Sequence, residues 1–246
     1  MKLGAKMAST NGPDHDYPIY DPRKLKAMYM VCSAPRTGST LLCRLLQQTL
    51  KMGFPSEYFN QSNHVKEWQA RFAFNDIDEL VDLLKQRRTS PNGVFGFKAH
   101  LDQFNFLRKS LDFEESFPRL KFILIQRRDL LLQAISLSRA QQTNAWSTLR
   151  TPTKSARFDL KHIEECCDVI QSQVSGWKKL FAFFGLEYVE VYYEDLCSSP
   201  QEIIDDCMRF VGVEPVPVSM DEVDIGVQRD EQTDLWIQNI RQQVKI

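Results

Sequence analysis

The sequence predicts an α/β fold built on a parallel sheet, and three observations carry that expectation. Short apolar runs at 28–32, 94–99, 120–125 and 187–192 are rich in Val, Ile, Phe and Tyr, as strands covered on both faces require. Helical patterns separate these runs, so successive strands have to run the same way. The first run passes through a Gly-containing turn, "SAPRTGST" at residues 33–40, into a helix, a strand–turn–helix unit of phosphate-loop type.

Taken in chain order, the polar N-terminal stretch up to about Pro22 has no apolar run and reads as part of a flexible tail, residues 1–26. Residues 27–246 then form one domain, a length sufficient for a sizeable core. Between 158 and 184, Ile163, Cys166, Cys167, Ile170, Val174, Trp177, Phe181 and Phe184 recur at helical spacing and mark one buried face. "SSPQEIIDDCMRFVG" delimits a further helix, with Ser199 and Glu202 as a capping box, Pro200 at the first position and Gly212 after the last turn.

Lys and Arg number 31 against 32 Asp and Glu, a net charge of -1, so no global field draws the chain to nucleic acid or an anionic membrane. Any anion site has to be local. Six cysteines without a CxxC pair point to neither a zinc site nor a disulfide framework and fit a reduced, cytoplasmic setting. No run is long enough to span a bilayer.

Ligands of open parallel sheets bind beyond the carboxyl ends of the strands, which directs attention to the turn after the first strand. Against GxxxxGK[ST], Ser33 replaces the first Gly, Gly38 is kept, Ser39 stands where the Lys belongs and Thr40 is kept. Arg36 and Thr37 lie inside the turn. Backbone N–H groups at the helix start, with the Ser39 and Thr40 hydroxyls, suit an anion, but the cation that reaches a γ-phosphate is missing. A strand-to-helix turn with Ser and Thr caps and no ligand fits the same residues. A second constellation, "RRDLLLQAIS", puts Arg127 and Arg128 at the end of a buried strand, Asp129 in a helix's first turn and Ser136 two turns on. Arg127 and Ser136 could grip another phosphate there. Alternatively, the Arg-Arg-Asp charges pair with each other on a solvated loop.

Together, "SAPRTGSTLL", "GFPSEYFN", "PNGVFGFKAHLDQ", "RRDLLLQAISLSRAQQTNAW" and "YEDL" resemble the sulfotransferase superfamily, and most nearly its bacterial trehalose 2-sulfotransferase family. The resemblance runs from Met28 to about Arg241 and implies the sulfotransferase fold. It also implies 3′-phosphoadenylyl sulfate as donor, its 5′-phosphosulfate in the loop (Arg36, Thr37, Gly38, Ser39, Thr40) and its 3′-phosphate on Arg127 and Ser136. No γ-phosphate then exists to need the lysine, and no metal is required. The acceptor implied is a small sugar or glycolipid, and the family suggests a homodimer.

Within that resemblance Glu57 falls where the trehalose-type enzymes have a glutamate proposed as general base; the other reading is a helix-cap or loop carboxylate. "FKAHL" is similar to the "KTHL" run of animal cytosolic sulfotransferases, which makes Lys98 a stabiliser of the leaving oxygen and His100 a second candidate base. A histidine that begins a helix also serves as a structural donor. His15, His64 and His162 sit in tail or helical contexts without evident partners. The chain departs from the family at Phe54, where the trehalose enzyme carries an acid facing the sugar, and at Arg128, where proline is frequent, so either arginine of the pair is a candidate for the 3′-phosphate. Arg229, in "QRDEQTDLWIQNIR", could approach the cofactor or simply begin an amphipathic helix. Loops 58–68 and 142–157 are expected to shape acceptor choice, with Trp146 as an aromatic face for a pyranose. The rival readings are a P-loop kinase using ATP and magnesium, and a non-catalytic nucleotide-binding protein of the same fold.

Overall fold

In the computed structural model, which describes residues 16–60, 64–146, 153–223 and 230–244, four strands pair in parallel in the order β2-β1-β3-β4. They are β1 (Ala27–Ser33), β2 (Val94–His100), β3 (Lys121–Gln126) and β4 (Tyr188–Tyr192), each within a residue of its expected ends. The chain leaves β1 for β2 on one side and returns to β3 on the other, so the carboxyl end of β1 is the topological switch point where a ligand crevice forms. Register sets Ser33 beside both His100 and Ile125, and Val31 beside Lys98 and Ile123.

Alternation along the strands divides the core into two layers. Met28, Met30 and Cys32 join Phe95, Phe97, Phe122 and Leu124 in the cluster covered by α3 (Ile77–Arg88), α4 (Leu101–Ser110) and α7 (Leu160–Phe184). Tyr29, Val31, Ile123, Ile125 and Val191 pack instead under α1 (Ser39–Gln48) and α9 (Pro200–Val211). Gly96 has a packing reason: a Cβ there would lie 2.3 Å from Tyr29 Cζ, and Tyr29 needs that room to donate its hydroxyl to the Met52 carbonyl at 2.7 Å. A third cluster joins α6 (Leu130–Thr143) to α7 and to α10 (Glu231–Val244) through Ile135, Ile163, Ile170 and Trp236. The short helices α2 (His64–Arg71), α5 (Phe113–Ser116) and α8 (Tyr193–Ser198) complete the described α-helices, and two 3-10 turns lie at Pro22–Lys24 and Met220–Glu222.

Four expectations need correction. Residues 16–26, expected within a flexible tail, dock on the ends of two helices: Asp16 pairs with Arg71 of α2 and with Arg87 and Arg88 of α3 at 3.0, 3.0 and 3.2 Å, and Tyr17 and Tyr20 donate backbone bonds to the Arg87 and Gln86 carbonyls. Residues 1–15 lie outside the described residues. Ser199 makes no side-chain cap bond, because its N–H closes α8 on the Asp195 carbonyl at 2.8 Å and its backbone (φ -137°, ψ 58°) serves as both the end of α8 and the start of α9. Pro200 and a left-handed Gly212 do bound α9 as expected. The buried stripe of α7 stops short of Phe184, which is 55% exposed. Finally, His162 has partners, with Nδ1 3.0 Å from Ser138 Oγ and Nε2 2.9 Å from Gln141 Oε1.

All six cysteines are free thiols. Among the described residues no helix is long and apolar enough to cross a membrane, and no group of three His, Cys, Asp or Glu is arranged to hold a metal ion.

Candidate active site

The turn after β1 is locked from several directions. Gly38 caps α1 in the left-handed region (φ 83°), and a Cβ there would sit 2.2 Å from Tyr193 Cδ2 on α8. Only glycine meets both demands. Arg36 is also left-handed, at φ 63°. Thr37 spends its hydroxyl on the Ala34 carbonyl at 3.1 Å and is buried, and Gln133 of α6 donates to the Pro35 carbonyl at 2.7 Å. Thr37 therefore holds the turn with its side chain. Ser39 and Thr40 are the first two residues of α1, Ser39 buried and Thr40 exposed, at the end of the helix whose first N–H groups have no intrahelical partner.

Cations gather around this turn. Arg36 Nε donates to Ser136 Oγ at 2.9 Å, and its guanidinium also reaches the Trp146 carbonyl. Burial, and then the Arg127 guanidinium, push Arg36 down to about 10. Tyr193, which lies against Gly38, carries the Arg127 guanidinium 4.9 Å above its ring, and Arg127 Nε is buried without a hydrogen-bond partner. A buried, unsatisfied guanidinium nitrogen beside a helix start is a donor awaiting an acceptor. Arg128 turns the other way: it is exposed, forms a bidentate pair with Asp195 at 2.6 Å on both arms, and its N–H meets Glu194 at 3.1 Å. The charges of Arg-Arg-Asp accordingly do not pair with each other, since Asp129 caps α6 by accepting from Leu132 N–H at 2.8 Å.

Glu57 arrives on a segment laid along the outer side of β2. Phe54 N–H bonds the Arg88 carbonyl at 3.1 Å, the Pro55 carbonyl accepts from Gln47 at 2.6 Å, and the Ser56 carbonyl accepts from Lys98 N–H at 2.9 Å. This brings Glu57 Oε2 within 2.8 Å of Lys98 Nζ and 3.7 Å of His100 Nε2. Oε1 accepts from Gln103 Nε2 at 2.7 Å and Asn60 Nδ2 at 2.8 Å. Lys98 Nζ also lies 3.5 Å from Thr40 Oγ1, so the lysine stands between the carboxylate and the phosphate-type turn. His100 Nδ1 is 3.1 Å from the Ser33 carbonyl and 3.0 Å from Ser33 Oγ. The carbonyl contact is a hydrogen bond when Nδ1 carries the proton, and Ser33 Oγ can donate to Nδ1 when Nε2 carries it.

The charge states follow from these contacts. Burial works to raise the Glu57 carboxyl, but Lys98 and the hydrogen bonds outweigh it and hold the group well below the usual carboxylate range. Burial works to lower Lys98, and Glu57 more than offsets it, so the ammonium persists. Burial pushes His100 down despite Glu57, so the imidazole is neutral near pH 7.

The structure thus brings Glu57, Lys98, His100 and Thr40 together at one end of the turn, and Arg36, Arg127, Ser136 and Gly38 at the other. Arg229 lies outside the described residues. The expectation that 58–68 is an acceptor loop is corrected at its ends: Tyr58, Phe59 and Trp68 are buried in the core, drawn in by aromatic contacts such as the 5.9 Å edge-on approach of Tyr58 to Trp68. Phe54 is buried too, beneath the Arg88 guanidinium at 5.0 Å. Trp146 is 41% exposed at the mouth of the arginine cluster. Three residues escaped sequence reading. Gln103 carried a signal, its i+3 spacing from His100 at a helix start, whereas Asn60 and the packing role of Tyr193 carried none.

Comparisons with known proteins bear on the family and the fold. The Stf0 sulphotransferase family model matches residues 28–243. The chain is 26% identical to a trehalose 2-sulfotransferase of Mycolicibacterium smegmatis, over 87% of this chain and 94% of that protein. It is 25% identical to one of Mycobacterium tuberculosis with the same shares covered. Among solved structures, the sulfotransferase domain of a Synechococcus olefin synthase superposes with a TM-score of 0.53 at 19% identity, covering 87% of this chain and 88% of that one. The sulfotransferase domain from the curacin biosynthetic pathway gives 0.50 at 16% identity, covering 85% and 82%. These two likenesses bear on the fold, and the family match spans both halves of the site: the chain belongs to the Stf0 sulphotransferase family.

Proposed function

We propose that this sulfotransferase moves a sulfuryl group from 3′-phosphoadenylyl sulfate to a hydroxyl of a sugar or glycolipid, without a metal ion. The observation that carries the proposal is the lysine shared between a buried carboxylate and a phosphate-type turn, 2.8 Å from Glu57 and 3.5 Å from Thr40. The donor's two phosphate ends match the two poles of the site: the turn and α1 N-terminus suit the 5′-phosphosulfate, and Arg127 with its unsatisfied Nε, Arg36 and Ser136 suit the 3′-phosphate. Mycobacterial relatives named for trehalose support a carbohydrate acceptor. The reading extends to a homodimer in the cytoplasm, a setting compatible with six free cysteines.

In the transfer, Glu57 takes the proton of the acceptor hydroxyl while that oxygen bonds to sulfur in line and the sulfur–oxygen bond to phosphate breaks. Lys98 and the N–H groups of the α1 start stabilise the charge gathering on the departing phosphate oxygen. Whatever draws Lys98 toward that oxygen also loosens its hold on Glu57, so the carboxylate becomes a better base as the leaving group forms. His100 Nε2, neutral and 3.7 Å from Glu57, is the alternative acceptor of the same proton. Thermal shift separates the proposal from a kinase: 3′,5′-ADP in the presence of chelator should stabilise the fold, and ATP with magnesium should not. The reverse order would overturn the donor assignment.

A further inference from the structure

We infer that Gln103, assisted by Asn60, is a positioning residue that sets which oxygen of Glu57 takes the acceptor proton. The inference rests on Glu57 as the base. Gln103 is the third residue of α4, and its two amide atoms do two different jobs. Oε1 accepts from the N–H of His100 at 3.0 Å, which caps the start of α4. Nε2 donates to Glu57 Oε1 at 2.7 Å. Capping alone is served equally by glutamine or glutamate at this position. Donating to a carboxylate is not, so the amide is required by Glu57 and not by the helix.

Asn60 adds a second amide donor at 2.8 Å to the same oxygen. The two carboxylate oxygens are thereby made unequal. Oε1 is held by two neutral amides, and Oε2 is turned to Lys98 and to the His100 side of the site. The Oε2 lone pair is released when the ammonium shifts, while Oε1 keeps the carboxylate plane in place. The charged or titratable groups that act on Glu57 come from β2 (Lys98 and His100) and α1 (Cys43), with Arg36 and Asp102 acting in turn on Lys98 and His100. None of these donates to Oε1 in the contacts described above, where both amides do.

The test is Gln103→Glu, which keeps the helix cap and sets a carboxylate against Oε1, with Asn60→Asp as a second variant that has no capping duty. In protein labelled with 13C at the glutamate carboxyls, the Glu57 signal is assigned by its loss in Glu57→Gln. It should stay flat down to about pH 4 in the native protein and titrate above that in either variant, because neighbouring carboxylates share a proton. With 3′-phosphoadenylyl sulfate and trehalose as probe substrates, kcat at pH 7 should fall at least tenfold and its acid limb should rise by a unit or more, with KM for the donor within threefold and a native circular dichroism spectrum in Gln103→Glu. A flat Glu57 signal and native turnover in both variants, beside an inactive Glu57→Gln, would overturn the inference and leave the general base standing. Native turnover in Glu57→Gln would instead remove Glu57 from the reaction, and the positioning role with it.

Discussion

Replacing Lys98 by methionine keeps the length of the side chain and removes its charge. The Lys98 and Glu57 side chains are 9% and 15% exposed and 2.8 Å apart, which places the pair among buried ion pairs. An exposed pair would contribute about 0–1 kcal/mol. Removing one partner of a buried pair costs about 3–5 kcal/mol, because the other charge stays behind in a poorly solvating site. Here Gln103 and Asn60 still donate to Glu57 Oε1, so we expect the lower part of that range, roughly 3–4 kcal/mol at pH 7. Adding Glu57→Gln should recover most of the loss, since no buried charge then remains. Urea unfolding followed by circular dichroism reads this as a shift of midpoint at constant slope. The pH dependence has a defined sign. In the native protein the folded Glu57 is held below its unfolded value of about 4.3, so its contribution is present above that value and is lost as pH falls through the folded one. In Lys98→Met burial dominates and the folded value rises above the unfolded one. The variant therefore gains relative stability as pH falls through that raised value, and its deficit narrows between pH 7 and pH 5. A deficit under about 1 kcal/mol that does not vary with pH and is not relieved by Glu57→Gln would refute the description of a buried, coupled pair.

Other outcomes follow from the arginine cluster and the turn. Arg36→Ala and Arg127→Ala should each weaken 3′,5′-ADP by about one to two decades in calorimetry, the loss of a charge-assisted contact worth roughly 1.5–3 kcal/mol. Arg128→Ala should leave it within a few-fold, since that guanidinium is engaged by Asp195; a loss confined to Arg128→Ala would reverse the assignment. Gly38→Ala should destabilise the fold by at least about 1–2 kcal/mol from the left-handed backbone alone, with more from the collision with Tyr193, and native binding of 3′,5′-ADP by this variant would contradict the tight turn. Glu57→Gln should lower kcat by about 100-fold or more with donor affinity nearly unchanged, and His100→Ala should cost less. The reverse ranking, checked by a burst measurement, would make His100 the base.

Much of the fold was legible because the strands alternate between two covered layers. The run at 28–32 is apolar throughout, as a strand covered on both faces has to be, and the Ser33 to Thr40 turn could be located from one glycine and its flanking strand; which of Tyr29 and Met30 enters which layer needed the structure. What stayed hidden depends on direction rather than residue type. Arg127 and Arg128 are adjacent and chemically identical, and only the position of Asp195 on α8 separates the one that turns outward. Ser199 has the right residue type and spacing for a cap, but its backbone is already committed to ending α8. The 58–68 stretch reads as one of the loops that shape acceptor choice, yet Tyr58 and Trp68 belong to the core. At the site, Glu57, Lys98 and His100 could each be nominated from the chain, while their convergence needed the 54–57 segment to lie against β2, a contact between stretches about 40 residues apart.

The most direct measurement is transfer of label from 35S-labelled 3′-phosphoadenylyl sulfate to a panel of sugars and glycolipids, run with and without EDTA. The account predicts a labelled carbohydrate product formed at the same rate in both conditions and lost in Lys98→Met. No labelled product with any acceptor, or transfer of the γ-phosphate of ATP that requires magnesium, would contradict it.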